Sequence, residues 1–87
     1  MDIIRLYVAG RRAKVNEAVE KFRNFLNQNT IPHHEFEIID VLEEPNRADD
    51  DKVFATPTMI RVSQNQSKRI VGDISDPEKM AILLGLL

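Results

Sequence analysis

Hydrophobic positions along this chain change their period several times, and each change marks an element. IIRLYV, Ile3–Val8, is short, β-rich and mostly apolar, the pattern of a strand buried on both faces. Gly10 ends it. From about Ala13 to Asn27, Val15, Ala18, Val19, Phe22 and Leu26 recur at helical spacing, and Glu17 stands one turn before Lys21, where the two charges can pair. Pro32 closes that helical region. EFEIIDV, Glu35–Val41, reads as a second strand. A strand, a helix and a strand in that order form a βαβ unit, so the two strands should run parallel with a right-handed crossover.

The middle of the chain is shorter in its rhythms. EEPNRADDDKVF offers Pro45 as a helix opener and Ala48, Val53 and Phe54 as inward positions, which predicts a short helix. Beyond Pro57, TMIRV is strand-like. SQNQS, Ser63–Ser67, is a polar turn in which Asn65 tolerates positive φ, and KRIVG returns as a strand stopped by Gly72, giving an antiparallel hairpin. In SDPEKMAILLGLL, Ser75 and Glu78 have capping-box spacing, and Pro77 sits in a first turn where its missing N–H costs nothing. Met80, Leu83, Leu84 and Leu87 form the apolar face, with Ile82 and Leu86 off that stripe. The predicted order is βαβαββα.

Composition narrows the chemistry. Eighty-seven residues, 43% of them hydrophobic, suit one domain spanning 1–87 with a modest core held by packing. The absence of cysteine removes thiol catalysis, cysteine metal sites and iron–sulfur clusters. A net charge of −2, spread evenly, offers no basic field for nucleic acid or an anionic membrane. With no signal-peptide pattern and no apolar run near twenty residues, a soluble cytoplasmic protein is expected. Asp49–Asp51 lack the alternating spacing of a calcium loop and read as a solvated helix face. His33 and His34 read as solvated loop histidines, Arg11 and Arg12 as solvated charges at a helix start, and Tyr7 as a core side chain with its hydroxyl at an edge. Neither a metal nor a cofactor is expected.

ATPT places a proline immediately before an apolar strand. Within a βαβαββα order, that arrangement resembles the thioredoxin fold, in which the proline at the position of Pro57 is cis; X–Pro bonds are where a cis peptide costs only about 0.5–1 kcal/mol. Thioredoxins carry Cys-x-x-Cys at the start of the first helix, and this chain has AGRRAKV there. The resemblance keeps the fold and omits the redox chemistry. LYVAG, IIDVLEEP, ADDDKVFATPT and RIVGDISDPEKM, in register over the whole length, resemble the KaiB family more specifically.

That resemblance implies a non-enzymatic circadian-clock protein that docks on the ATPase ring of KaiC or a KaiC-like protein, sequesters KaiA and displaces a sensor histidine kinase. Carried over position by position, the partner surface is Asp40, Leu42, Pro45, Asn46, Lys52, Ala55 and Pro57, with Lys68 and Arg69 adding electrostatic steering. The family also implies two folds: a tetrameric ground state, βαββααβ, and a monomeric thioredoxin-like binding state. Pro57, Leu83 and Gly85 bear on the balance. Leu83 stands where typical members have glycine, which favours helix by roughly 0.5–1 kcal/mol, and Gly85, where they have aspartate, partly offsets it. SQNQSK replaces a run of prolines and can close an ordinary hairpin. The thioredoxin-like monomer is therefore the expected state, with the ground-state fold as the alternative. Two further readings stay open: the KaiB-like sensor domain of a histidine kinase, and a cysteine-free thioredoxin-like enzyme. The enzyme would have to rely on Thr56, Thr58 or Tyr7, none with a histidine or carboxylate placed by the sequence to activate it.

Overall fold

A computed structural model describes residues 3–10, 12–29, 35–64 and 66–86. The elements are β1 (Ile3–Val8), α1 (Ala13–Gln28), β2 (Glu35–Asp40), α2 (Pro45–Asp50), β3 (Thr58–Ser63), β4 (Gln66–Val71) and α3 (Pro77–Leu83). This is the βαβαββα order read from the sequence. The strands form one sheet in the order β2-β1-β3-β4. β1 and β2 are parallel, as a βαβ unit requires, and β3 runs antiparallel to both β1 and β4. β4 begins at Gln66, earlier than the KRIVG reading, because Ser63 and Gln66 still pair across the turn. Asn65, the expected positive-φ residue, lies outside the described residues, as do Arg11, Pro32, His33, His34 and Leu87.

Strand alternation divides the core in two. Ile4, Leu6, Val8 and Met59 point to the side covered by α1 and α3, where they pack with Val19, Phe22, Met80, Leu83 and Leu84. Phe22 meets Phe36 of β2 edge-on at 5.3 Å between ring centroids. Tyr7, Ile39 and Ile60 point to the other side, against Ala48 of α2.

The last helix is capped differently from the sequence reading at both ends. Asp76, not Ser75, is the N-cap: its carboxylate accepts the Glu78 N–H at 3.0 Å, because Pro77 occupies the first helical position and moves the cap to the residue before it. Ser75 instead donates its hydroxyl to Asp73, 2.6 Å away. At the other end Gly85 lies beyond the helix with φ +74°, so it does not weaken the helix interior. The Gly85 N–H bonds to the Ile82 carbonyl and the Leu86 N–H to that of Ala81, a Schellman motif that closes the helix. Arg61, from β3, donates to the Leu83 carbonyl at 3.2 Å. Leu83 itself is fully buried in the core, which fixes this segment on the sheet as a helix.

Candidate partner-binding site

The register places the ends of β1, β2 and β4 and the start of β3 at one end of the sheet: Val8 pairs with Asp40, Tyr7 with Thr58, and Thr58 with Val71. Asp40, Leu42, Ala55 and Pro57 gather there, and Pro45 starts α2 from the same end as its first residue, with exposed Asn46 following. Asp40 is a brace. Its carboxylate accepts the Gly10 N–H at 3.1 Å and the Leu42 N–H at 2.9 Å, tying the exit of β1 to that of β2. Gly10, with φ +86°, supplies a turn that other residues rarely adopt. Leu42 is 73% exposed. The Thr56–Pro57 bond is cis, and the Pro57 carbonyl accepts the Gly72 N–H at 3.0 Å.

From Pro45, α2 runs back across the sheet and its last turn is held by charge. The Tyr7 hydroxyl, in an almost fully buried side chain, donates to Asp51 and lies 3.1 Å from the Arg47 carbonyl. Arg5 approaches the same Asp51 carboxylate at 3.3 Å. Arg47 forks onto both oxygens of Glu37 on β2 and lies 3.8 Å from Glu44. Arg69 of β4 donates to the Asp51 carbonyl at 2.7 Å and the Lys52 carbonyl at 3.1 Å. Asp51 is therefore not part of a solvated helix face; it is the hub that joins α2 to two strands. Arg69 reaches α2, whereas strand alternation sends neighbouring Lys68 to the opposite face, so the two do not act together at one surface. A shallow cavity of about 230 Å³ lies among Arg5, Tyr7, Arg47, Asp50 and Asp51, and the buried Arg5 Nε beside it has no hydrogen-bond partner.

These contacts set the proton affinities. Burial, then the Asp51 carboxylate, pushes the Tyr7 hydroxyl up to about 12. The Arg47 hydrogen bonds hold the Glu37 carboxyl below its ordinary value. A carboxylate does sit against Tyr7, which the sequence alone did not place, yet the tyrosine is made a weaker acid and so a poorer nucleophile at neutral pH. Thr58 Oγ1 is committed to the Ala55 carbonyl at 2.6 Å, and Thr56 lies exposed in the loop. Among the described residues no group of three or more metal-binding side chains converges. None of their helices is long and apolar enough to cross a membrane.

Sequence reasoning misplaced another residue here. Phe54, expected to face inward, is 92% exposed. The helix stops at Asp50, Lys52 turns the backbone through φ +54°, and Val53 takes the inward place against the Tyr7–Ile39–Ile60 cluster. The usable signal was Pro57: a chain that must return to the sheet's end by that residue has too few positions left for another helical turn. Val71, half-exposed at the end of β4, was also passed over.

Comparison with known proteins agrees with this architecture. The chain matches the KaiB domain over residues 5–86. It is 39% identical over 85 residues to the circadian clock oscillator protein KaiB of Synechococcus sp. (strain RCC307), covering 98% of this chain and 77% of that protein. Among solved structures, the N-terminal domain of Synechococcus elongatus SasA superposes with a TM-score of 0.78 at 17% identity, covering 99% of this chain and 85% of that one. Oxidized mitochondrial thioredoxin 3 of Saccharomyces cerevisiae gives 0.75 at 20% identity, with 99% and 78% covered. At such identities the two structures speak to the fold alone.

Proposed function

This chain belongs to the KaiB family, and on that premise we propose that it is a non-catalytic interaction module that docks on a KaiC-like ATPase ring in its thioredoxin-like state. The observation that carries the reading is the end of the sheet where Leu42, Pro45, Asn46, Ala55 and Pro57 stand together, four of them exposed, on a backbone braced by Asp40 and Arg69. Such a surface is pre-organised, so little ordering entropy is lost when a partner covers it. The buried Leu83 and the Gly85 closure support the thioredoxin-like state as the dominant one, acting as a cytoplasmic monomer, with the tetramer a minor form. KaiA and a sensor histidine kinase are its further partners, the first sequestered and the second displaced.

The test is capture of the purified KaiC-like ATPase ring of the same host. Leu42 and Lys52 are exposed, so Leu42→Asp combined with Lys52→Glu removes contact without touching the core. Asp40 is left intact because its loss would loosen the backbone itself. The double variant should lose most binding with an unchanged circular dichroism spectrum, a central desolvated contact being worth about 2–5 kcal/mol. Undiminished binding would place the interface elsewhere, and no binding by the unaltered chain would end the docking reading.

A further inference from the structure

β4 is the least covered strand of the sheet, yet it ties down both ends of the loop between α2 and β3. It lies at the sheet's edge, paired with β3 alone, and five of its six residues are exposed, with Ile70 half-buried. β3 beside it is paired on both sides and buries Thr58, Met59 and Ile60. A strand with so little apolar cover belongs to the part of a native fold that opens most readily. At the loop's start, Arg69 of β4 donates to the Asp51 carbonyl at 2.7 Å and the Lys52 carbonyl at 3.1 Å. At its far end the Gly72 N–H, just beyond β4, bonds to the Pro57 carbonyl at 3.0 Å.

The backbone between those ties is the part that depends on them. Lys52, at φ +54°, closes α2: its N–H bonds to the Asp49 carbonyl at 3.1 Å and the Val53 N–H to the Ala48 carbonyl at 2.9 Å, a Schellman pattern that turns Val53 inward. Glycine is the usual residue at that position, so a lysine there gains from a bond that fixes its carbonyl. Neighbouring groups are held from elsewhere. The Asp51 side chain is bonded by Tyr7 and Arg5 of β1, and the Ala55 carbonyl by Thr58 of β3, so neither depends on β4. Residues 52–54 are joined to the sheet by the packing of Val53 and by Arg69.

We propose that β4 is a clasp on this loop: residues 52–54 are set while β4 is in the sheet and released when it leaves, the two opening as one unit linked by Arg69. Its bearing on partner binding rests on the docking reading above, but the clasp is tested on the free chain, so the two can fail separately. Native-state hydrogen exchange of the full chain reads it at the N–H groups of Val53, Gly72 and Leu6, the last in the central strand β1. In the parent, Val53 and Gly72 should be protected equally within about threefold, and well below Leu6. Lys68→Gly weakens β4 on the face turned away from Arg69, and glycine in a strand should lower protection about two- to fivefold. Val53 should lose the same factor as Gly72. Arg69→Ala should part them, leaving Val53 about tenfold or more less protected than Gly72. Should Arg69→Ala fail to fold, Lys68→Gly decides alone, because Lys68 is exposed. Val53 unmoved by Lys68→Gly, or still level with Gly72 in a folded Arg69→Ala, would overturn the clasp. So would a parent in which Val53 and Gly72 exchange only together with Leu6.

Discussion

The two faces of the sheet are held by different physics. On one, α1 and α3 bring a cluster of ten buried side chains, Ile4 to Leu84, with no polar member. On the other, the six-residue α2 covers only part of the sheet, and the buried cluster there has four members, Tyr7, Ile39, Ala48 and Ile60. Where apolar cover is thin, directional contacts take over: Tyr7 and Arg5 on Asp51, Arg47 on Glu37, Arg69 on two carbonyls. Non-directional packing is spread over many atoms and tolerates movement. Hydrogen bonds depend on a few atoms at fixed positions, so this face can hold a loop in a set conformation without covering it. The thick face supplies stability, and the thin one supplies a fixed surface.

The sharpest test of that division is Phe22→Ala. Phe22 is fully buried between α1 and the sheet, and such truncations cost about 3–5 kcal/mol. Small domains have about 5–15 kcal/mol in all, so the urea midpoint should fall steeply and a domain at the lower limit would unfold. The counterpart on the other face is gentler. Tyr7→Phe keeps the ring and its packing and removes only the hydroxyl that bonds Asp51, a loss of about 1–3 kcal/mol. Equal losses from the two substitutions would erase the distinction between the faces.

Much of this was legible in the sequence, and the rest was hidden for physical reasons. Val15, Ala18, Val19, Phe22 and Leu26 announce α1 because burial repeats every helical turn, and Val19 and Phe22 are its buried residues. The β1–β2 and β3–β4 pairings follow from the βαβ rule and the hairpin, whereas the pairing of β3 with β1, which completes the strand order, does not. The charge network was invisible, because Arg5 and Asp51 are 46 residues apart and nothing local marks which arginine meets which aspartate. Ser75 and Asp76 both carry cap-forming oxygens, and only the position of Pro77 separates them. Gly85 read as a mild weakening near the helix end because the Schellman closure is a property of φ, which composition does not display. The proposed partner surface was readable only by resemblance, and the exposed Phe54 ring was read with the wrong orientation.

A smaller effect follows Tyr7 through pH. Its folded-state value is pushed up to about 12, above the ordinary tyrosine value of about 10, so the folded protein holds this proton more tightly than the unfolded chain. The stabilisation is complete below about pH 10 and is lost as pH rises through 12. As the chain has one tyrosine, its tyrosinate absorbance reports this site alone. The folded protein should show little tyrosinate at pH 10, where the same chain in urea is half ionised. Ionisation at the ordinary value in the folded state would mean that the hydroxyl is neither buried nor bonded to Asp51.

The smallest expected effect is the most selective, because it touches one ion pair on the thin face. Arg47 forks onto Glu37, but the two side chains are 34% and 41% exposed, and a pair so open to water is worth about 0–1 kcal/mol. Glu37→Gln should therefore cost less than about 1 kcal/mol at neutral pH, and raised salt should shrink the difference. The sign with pH follows from the lowered Glu37 value. Above the ordinary glutamate value of about 4.3 the carboxylate is ionised in both states and its stabilisation is complete; as pH falls through the lower folded-state value, the proton binds and the contribution disappears. Parent and variant should thus differ at neutral pH and converge in acid, measured by urea unfolding at each pH. A cost well above that of Tyr7→Phe would make Arg47–Glu37, rather than Asp51, the chief tie between α2 and the sheet. A difference that persists unchanged into acid would show that glutamine disturbs the face through packing, and that the ion pair contributes nothing.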